Sequence, residues 1–293
     1  MRILVLGGNG QVGRHLISEA GRRGWEVVAP GREQLDLQML KSTTQLDLAY
    51  IDGVLNAAAY TAVDDAEDEI DKAEQLNATV PLILANACAQ ASIPLVHYST
   101  DYVFDGKSDE GYRECDETRP LGVYGRTKRQ GELNIEGSTA TAALLRLSWV
   151  FSEHGKNFVK TMLRLGRQQD VVRVVDDQRG CPTPANGAAV AGLDVLAALI
   201  SNPEKSGIYH YTGDKAVSWA EFAASIFESA GFDVSVDPIK TEEYPTKAER
   251  PRYSVLCNDQ ISATFGIEAA NWRRHLDKIT PMIIKELDMG EKP

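Results

Sequence analysis

Tyr124 and Lys128 are spaced so that they could act together on a carbonyl group. They stand four residues apart in the segment YGRTK, which covers residues 124–128. On a helix such residues share one face, with Cβ atoms about 6 Å apart. An ammonium at that distance stabilises phenolate and would lower the pKa of the phenol from about 10 toward neutrality. A phenol tuned in this way can protonate a carbonyl oxygen while hydride reaches the carbon.

A glycine-rich loop near the start of the chain could hold the hydride carrier. Gly7, Gly10 and Gly13 follow the apolar run Arg2–Leu6 and open a helical pattern. In this context the first glycine permits a tight turn, the second lets the backbone approach a pyrophosphate, and the third allows close helix–strand packing. The helix N-terminus then favours negative charge. We therefore predict a dinucleotide site rather than a ligand-free glycine turn.

The residues after the second apolar run, Trp25–Ala29, bear on which dinucleotide is bound. Arg32 stands where an acidic residue would accept the ribose 2′-hydroxyl. An arginine there favours a 2′-phosphate and hence NADPH, with NADH as the alternative. The other interpretation of Arg32 is a solvated loop residue. Asp36 and Leu37 are predicted to contact the adenine.

Composition excludes several other classes of protein. The 293 residues carry a formal net charge of −11, whereas nucleic-acid binding needs a basic face. The four cysteines are scattered without a C-x-x-C pair, which fits a reducing cytoplasm and predicts neither disulfides nor a zinc site. No apolar run approaches membrane-spanning length, and no signal peptide precedes the first strand. The histidines also lack metal-ligand spacing, so no metal is predicted from His15, His97, His154, His210 and His275.

Short apolar segments alternate with helical patterns throughout the first half of the chain. The segment Asp71–Ala91 reads as one long helix interrupted near Pro81. This alternation predicts the α/β class, with a Rossmann-type, doubly wound parallel sheet. The predicted strands are Arg2–Leu6, Trp25–Ala29, Gly53–Ala58, Leu95–Ser99 and Leu144–Val150.

The second half is less regular. Its clearest element is the helix Ser218–Ala230, with Ser218 as N-cap and Glu221 completing a capping box. Pro238–Ser254 reads as an ordered loop. We predict that residues 1–150, with about 172–204 returning to them, form the cofactor domain. Residues 151–171 and 205–293 would form a smaller, interleaved C-terminal α/β lobe that binds substrate.

The order of these features carries more weight than any one of them. The glycine loop is followed by a strand ending in Asn56, then by a strand ending at Thr100, and then by Tyr124 and Lys128. A threonine at the carboxyl edge of a strand can hydrogen-bond a substrate carbonyl beside the phenol. Together these features resemble the extended branch of the short-chain dehydrogenase/reductase superfamily, in which Thr100, Tyr124 and Lys128 would be the catalytic Ser/Thr–Tyr–Lys triad.

Longer segments narrow the resemblance. The chain reads NAAAYTAVDDAE at 56–67, YSTDYVFDG at 98–106, PLGVYGRTKRQG at 120–131, RLSWVF at 146–151 and DQRGCPT at 177–183. In order and spacing these segments are similar to the dTDP-4-dehydrorhamnose reductase family, from Arg2 to about Val255. The resemblance implies an enzyme that uses NADPH to reduce the C4 ketone of dTDP-4-dehydro-L-rhamnose, in the synthesis of sugar for cell-surface polysaccharide such as O-antigen.

The resemblance also implies roles for individual residues. Tyr124 would donate the proton, Lys128 would lower its pKa and hold the nicotinamide ribose, and Thr100 would orient the ketone. The remaining positions fall into two groups. Gly10, Gln11 and Val12 would line the pyrophosphate and Ala59, Tyr60, Thr61 and Tyr98 the cofactor channel, while Asp101, Tyr102, Trp149 and Arg250 would contact the nucleotide-sugar.

Several alternatives stay open at this point. Trp149 and Tyr102 could be packing residues, and the acidic run from Asp64 to Asp71 reads as a solvated face or a helix start. Some relatives dimerise through magnesium held by glutamates, but the matching stretch here, Pro184-Ala185-Asn186, has no glutamate. The chain would be a monomer or a homodimer. Other functions are a regulatory subunit that binds NADP, or a nucleotide-sugar epimerase or dehydratase.

Overall fold

The computed structural model describes residues 1–290. The strands are β1 (Arg2–Leu6), β2 (Glu26–Val28), β3 (Gly53–Asn56), β4 (Leu95–Thr100), β5 (Ala142–Leu147), β6 (Val150–Phe151), β7 (Val171–Val175), β8 (Arg179–Gly180), β9 (Thr183–Pro184), β10 (Gly207–His210), β11 (Val217–Ser218) and β12 (Ser235–Ile239). The helices are α1 (Gln11–Arg22), α2 (Ile70–Glu74), α3 (Val80–Ala91), α4 (Val123–Glu136), α5 (Phe158–Gly166), α6 (Ala185–Ser201), α7 (Trp219–Ala230), α8 (Asp259–Phe265) and α9 (Trp272–Gly290). No helix in this part of the chain is long and apolar enough to cross a membrane.

A six-stranded parallel sheet organises the larger part of the molecule. Its strand order is β10-β5-β4-β3-β1-β2. The chain runs outward from β1 in one direction to β2 and in the other through β3, β4 and β5. Ligands of such sheets bind outside the carboxyl ends of the strands, where the order reverses. The predicted Rossmann-type fold is confirmed, and the glycine loop follows β1 at that point.

Alternation along the strands separates the core of this sheet into two layers. Ile3 and Val5 pack with α1 and α6, whereas Leu4 and Leu6 pack on the opposite face with α3. Successive side chains of a strand point to opposite faces, so fully apolar strands are those covered by helices on both sides. The same alternation decides which residues of β4 can reach α4.

A second core lies under the C-terminal helices. It joins residues of α5, α7 and α9 with β7, around Phe151, Phe222 and Phe227. The predicted N-cap of α7 is confirmed: the Ser218 hydroxyl accepts a hydrogen bond from the Glu221 amide, and the Glu221 carboxylate accepts one from the Ser218 amide. This core forms the smaller lobe.

Two strands lie in different lobes from those that the sequence assigned to them. β7, placed by the sequence in the returning segment 172–204, instead pairs with β12 in the smaller lobe. β10, placed in the substrate lobe, instead pairs with β5 and forms the edge of the main sheet. Both corrections have one cause, since short strands acquire their partners from distant parts of the chain. The helix α6 does pack on the main sheet, as its apolar composition suggested.

The helix predicted at Asp71–Ala91, with an interruption near Pro81, is divided by a π-helical turn, Gln75–Thr79, that ends just before this proline. Because proline has no N–H, the regular run of helical hydrogen bonds is broken at this position. One local feature differs from expectation. Pro238, predicted in a loop, lies in the edge strand β12.

Candidate active site

The glycine loop has the close contacts that its spacing predicts. Gly7 has φ +76°, and its carbonyl accepts a hydrogen bond from the Gly10 amide at 2.9 Å. A Cβ atom on Gly13 would lie 2.1 Å from the Gly7 carbonyl oxygen. Gly10 caps α1 without any side-chain hydrogen bond. The first amides of α1 are therefore not taken by a capping side chain and could bind a phosphate.

Gln11 connects this loop to the smaller lobe. Its Oε1 accepts hydrogen bonds from the Ser152 hydroxyl at 3.1 Å and from Asn157 Nδ2 at 3.0 Å. Val12 packs against the core between α1 and the sheet. Gln11 is thus held by the segment that leads into α5, which couples the predicted pyrophosphate site to the second lobe.

The residues predicted around the adenosine lie at the carboxyl end of β2 and beyond. The Arg32 side chain is 76% exposed, and its Nε lies 3.4 Å from Asp36 Oδ1. Asp36 caps a short 3₁₀ turn by accepting a hydrogen bond from the Gln38 amide, and the Leu37 carbonyl accepts one from Gln75 Nε2. Arg32 is therefore available to a phosphate, while Asp36 and Leu37 shape the loop behind it.

The segment Ala59–Thr61 is fixed by a buried asparagine. Asn77 accepts a hydrogen bond from the Tyr60 amide, donates to the Tyr60 carbonyl, and donates to Thr127 Oγ1 on α4. The Tyr60 hydroxyl donates to Glu69, and this bond raises the pKa of Tyr60 to about 12. Ala59 is half-buried and Thr61 is exposed.

Tyr98 does not contribute its side chain in the predicted way. Its ring is buried in the core beneath α6, and its hydroxyl donates to the Ala188 carbonyl at 3.0 Å. What it offers to the site is its backbone carbonyl, which accepts a hydrogen bond from Lys128. The cause is strand alternation, because residue 98 points to the face of the sheet opposite α4.

The proposed acid, Tyr124, lies near the start of α4. Its ring meets that of Tyr102 edge to face at a centroid distance of 5.5 Å. Burial raises the pKa of the Tyr124 phenol, and the nearby Thr100 hydroxyl opposes this increase only in part. The expectation that Lys128 would lower this pKa toward neutrality is not met, because the ammonium is engaged elsewhere.

Lys128 is almost completely buried and points toward β4. Its Nζ donates to the Tyr98 carbonyl at 2.6 Å and lies 3.2 Å from His97 Nε2. Burial lowers the pKa of Lys128 to about 8, with Glu132 opposing. The amine can therefore exist in either protonation state near neutral pH.

A buried chain of polar groups behind Lys128 was missed by the sequence analysis. The Asn56 side chain accepts a hydrogen bond from the Ala58 amide and lies 2.9 Å from His97 Nδ1. Because its Oδ1 accepts from that amide, its Nδ2 is the donor to His97 Nδ1, which leaves the imidazole proton on Nε2. Nε2 can then bond Lys128 only when the lysine is the neutral amine, because an ammonium has no acceptor. Burial holds the pKa of His97 well below its usual value. Strand alternation could have found His97, since Leu95, His97 and Ser99 share the face toward α4.

Thr100 and Asp101 lie at the carboxyl end of β4, close to the Tyr124 phenol. The Thr100 hydroxyl donates to Asp101 Oδ1 at 3.0 Å and accepts from the Tyr102 amide. Burial raises the pKa of Asp101 to about 6. Its second oxygen has no hydrogen-bond partner in the described part of the chain. Such a buried, unpaired oxygen is expected to face a polar ligand.

Arg250 reaches the site from the loop after β12. Its Nη2 donates to Asp64 Oδ2 at 2.6 Å, and its guanidinium lies 6.0 Å from the centre of the Tyr102 ring. The acidic run is consequently more than a solvated face. Asp64 holds this arginine, and the Glu67 carboxylate accepts a hydrogen bond from the Val123 amide at the start of α4.

A cleft of about 480 Å³ opens between the two lobes beside these residues. The first lobe contributes Asp64 and Tyr102, and the second contributes aromatic and cationic side chains. The latter include Phe158, Arg173, Trp219, Tyr244 and Arg250. A surface that combines stacking rings with guanidinium groups suits a nucleotide diphosphate.

Trp149 lies behind this cleft rather than in the core of a strand. Its backbone has φ +47°, which is uncommon for a large side chain, and its indole stacks on Trp219 at 3.5 Å. Residues in such a conformation are costly and concentrate at functional sites. Gly180 makes room for the ring, because a Cβ there would lie 2.5 Å from the indole.

Comparisons with known proteins agree over nearly the whole chain. A family model described as the RmlD substrate binding domain matches residues 1–284. A dTDP-4-dehydrorhamnose reductase from Sinorhizobium fredii is 40% identical over 294 residues, covering 98% of this chain and 99% of that protein. One from Aggregatibacter actinomycetemcomitans is 39% identical, covering 95% and 98%.

A solved structure gives the same picture. A dTDP-4-dehydrorhamnose reductase from Bacillus anthracis, determined in complex with NADP, superposes with a TM-score of 0.87 at 33% identity, covering 96% of this chain and 99% of that one.

Proposed function

From the premise that this chain belongs to the RmlD family, whose model matches residues 1–284, we propose that it is a dTDP-4-dehydrorhamnose reductase that uses NADPH. The reaction reduces the C4 ketone of dTDP-4-dehydro-L-rhamnose to dTDP-L-rhamnose. The observation that carries the proposal is that α4 holds Tyr124 and Lys128 beside the carboxyl end of β4, where Lys128 donates to the Tyr98 carbonyl and the strand ends at Thr100.

The residues of the glycine loop fit the cofactor. A pyrophosphate site needs a tight turn, close helix–strand packing and free amides at a helix start. Gly7 makes the turn in the left-handed region, Gly13 leaves no room for a Cβ, and α1 begins without a side-chain cap. We propose that Gly7, Gly10, Gln11, Val12 and Gly13 hold it, with Arg32 on the 2′-phosphate. When bound, NADPH supplies the hydride.

Tyr124 is proposed as the proton donor. Its raised pKa keeps the phenol protonated at neutral pH, so it enters the reaction as an acid. Thr100 orients the ketone oxygen toward the phenol. Lys128, which donates to the Tyr98 carbonyl, lies one helical turn further along α4 and is proposed to hold the nicotinamide ribose.

The cleft between the lobes is proposed as the nucleotide-sugar site. Arg250, oriented by Asp64, would bind the diphosphate, and Asp101 and Tyr102 would contact the sugar. Trp149 supports the site through Trp219, which lines the cleft. The lobes would then correspond to a cofactor domain around the main sheet and a substrate lobe around α5, α7 and α9.

The direct test is a panel of nucleotide-4-keto-sugars assayed for oxidation of NADPH and NADH, with the products identified by NMR. We expect turnover with dTDP-4-dehydro-L-rhamnose, preference for NADPH, and dTDP-L-rhamnose as product. Absence of oxidation with this substrate, in a protein that binds NADPH, would refute the proposal.

The same purified protein also distinguishes the reductase from an epimerase or dehydratase and from a regulatory subunit. An epimerase or dehydratase retains NAD and needs no external reductant, so stoichiometric NAD in the purified protein without net oxidation would favour that class. A regulatory subunit would bind NADP and a partner enzyme without turning over any sugar of the panel. The intact set Thr100, Tyr124 and Lys128 argues against the regulatory subunit, and the similarity to reductases over nearly the whole chain argues against the epimerase or dehydratase.

The wider role is proposed on the same basis. The product would supply rhamnose for cell-surface polysaccharide such as O-antigen. We place the reaction in the cytoplasm, where NADPH is available and where the four cysteines, all free thiols, remain reduced.

A further inference from the structure

Folding brings together three side chains that the sequence keeps far apart. His15 lies on α1, while Glu153 and His154 follow β6. His15 Nε2 is 3.4 Å from Glu153 Oε2, and His154 Nε2 is 3.9 Å from Glu153 Oε1. One ligand atom from each of the three residues lies within 4.8 Å of the others.

These separations are close to those of a metal's ligand shell. Ligand atoms about 2.0–2.1 Å from a tetrahedral zinc are about 3.3 Å from one another. The His15 and Glu153 atoms are nearly at that distance already, and His154 Nε2 lies 3.9 Å from the other Glu153 oxygen. The three residues are partly buried, so the cluster is a recess rather than a solvated surface.

The cluster contains buried polar atoms whose hydrogen-bonding capacity is not used. His15 Nε2 and Glu153 Oε2 face each other at 3.4 Å, but neither makes a hydrogen bond in the described part of the chain. Nε2 of His275 on α9, which lines the same small cavity as His15 and Glu153, also makes none. Buried polar atoms are rarely left without a hydrogen bond, so this cavity is suited to a ligand that would bind them.

We propose that His15, Glu153 and His154 form a binding site for Zn²⁺. Two imidazoles and one carboxylate are the ligand set that suits this ion, which also leaves a fourth position for water. Magnesium, which prefers oxygen ligands, would be excluded by the same set. The site therefore differs from the glutamate-held magnesium of some relatives, and it does not depend on the proposed reductase activity.

A metal here would connect the two lobes. α1 carries the glycine loop at its N-terminus, and the segment after β6 already contacts that loop through Gln11. A zinc ion bridging His15 to Glu153 and His154 would fix α1 to this segment. We expect the ion to stabilise the arrangement rather than to take part in chemistry.

The experiment uses the full-length protein without an affinity tag, stripped of metal by a chelator. Titration with Zn²⁺ is followed by calorimetry, and titration with Co²⁺ by visible absorption, which reports tetrahedral nitrogen and oxygen ligation. We expect one equivalent of either ion to bind, a rise in Tm with Zn²⁺, and no comparable effect of Mg²⁺.

Two variants identify the ligands. His154→Asn and Glu153→Gln change partly exposed side chains and should each weaken Zn²⁺ binding about tenfold or more. Glu228→Gln, which removes an equivalent charge from a solvent-facing ion pair with Arg273, is the control and should bind as the wild type. Failure of the wild type to bind Zn²⁺, or binding that neither ligand variant weakens, would overturn the proposal.

Discussion

Tyr124 is surrounded so that its phenol keeps its proton. Burial and the nearby Asp101 and Tyr102 all raise its pKa, and only Thr100 acts in the other direction. Residue spacing alone singles out Tyr124 as the proposed donor. Its electrostatic environment could not be predicted in this way, because the position of the Lys128 amine depends on β4, which lies about thirty residues earlier in the chain.

Removal of the Tyr124 hydroxyl should separate binding from turnover. In Tyr124→Phe we expect unchanged affinity for NADPH and a fall in kcat of about 10²–10⁴, since positioned proton transfer contributes about that much. Affinity is measured by fluorescence titration and kcat by NADPH oxidation. Tyr50→Phe, at a tyrosine that is 87% exposed, is the control. A kcat near that of the wild type would remove Tyr124 from the proposed role.

Arg32 should discriminate between the two coenzymes. In Arg32→Ala we expect KM for NADPH to rise more than KM for NADH, because only the former carries a 2′-phosphate. Initial-rate kinetics with both coenzymes measure this. Arg22→Ala, an exposed arginine paired with Glu19, is the matched control. Equal changes for both coenzymes would show that Arg32 does not contact the phosphate.

Lys128 should make the stability of the protein depend on pH. Below about pH 8 both the folded and unfolded chains hold the lysine proton, so folding buries an ammonium. Between about pH 8 and the ordinary lysine pKa of 10.5, the unfolded chain holds more protons than the folded chain. In this range Lys128 therefore makes the free energy of unfolding increase as the pH rises.

Urea unfolding of the wild type and Lys128→Met between pH 7 and pH 10 measures this effect. We expect the stability of the wild type relative to the variant to increase across that range. The control is Lys72→Met, an exposed lysine paired with Glu69. A constant difference between wild type and Lys128→Met would contradict the lowered pKa.

The secondary-structure elements differ in how far local sequence specifies them. The capping box of α7 lies within four residues, so the sequence alone predicts it. Pro81 predicts an interruption of the helix near Gln75–Thr79, but no local signal predicts that the interruption is a π-helical turn in which Asn77 bonds Thr127 on α4. α4 itself approaches its neighbours so closely that its glycines are required by packing rather than by conformation.

Gly125 tests this close packing. A Cβ there would lie 2.2 Å from the Tyr102 carbonyl oxygen, whereas one at Gly21 in α1 would meet nothing within 4 Å. We expect Gly125→Ala to destabilise the protein by about 1–3 kcal/mol, as overpacking typically does. Gly21→Ala should instead stabilise it by about 0.5–1 kcal/mol. Chemical denaturation measures both, and equal effects would argue against the contact.

At the scale of the whole molecule, the parallel sheet follows from the alternation of apolar and helical segments, and the sequence predicts it well. The division into lobes follows from pairings between remote short strands, β5 with β10 and β7 with β12, which no local pattern encodes. No local pattern predicts the proximity of His15, Glu153 and His154 either, because they come from α1 and from the segment after β6.

Cofactor binding should stabilise the whole molecule by mass action. A ligand that binds only the folded state at one hundred times its Kd contributes about 2.7 kcal/mol. We therefore expect NADPH to raise Tm in proportion to the logarithm of its concentration, measured by differential scanning calorimetry. GTP, a phosphate-rich nucleotide without nicotinamide, is the control. An unchanged Tm at millimolar NADPH would contradict the proposed site.

The stacked indoles of Trp149 and Trp219 have an optical consequence. Two parallel chromophores 3.5 Å apart share their excitation, so their circular dichroism and emission depend on the pair rather than on either ring. Trp219 also lines the cleft, where an entering thymine or sugar would disturb this coupling. The protein thus carries its own label-free spectroscopic reporter of occupancy.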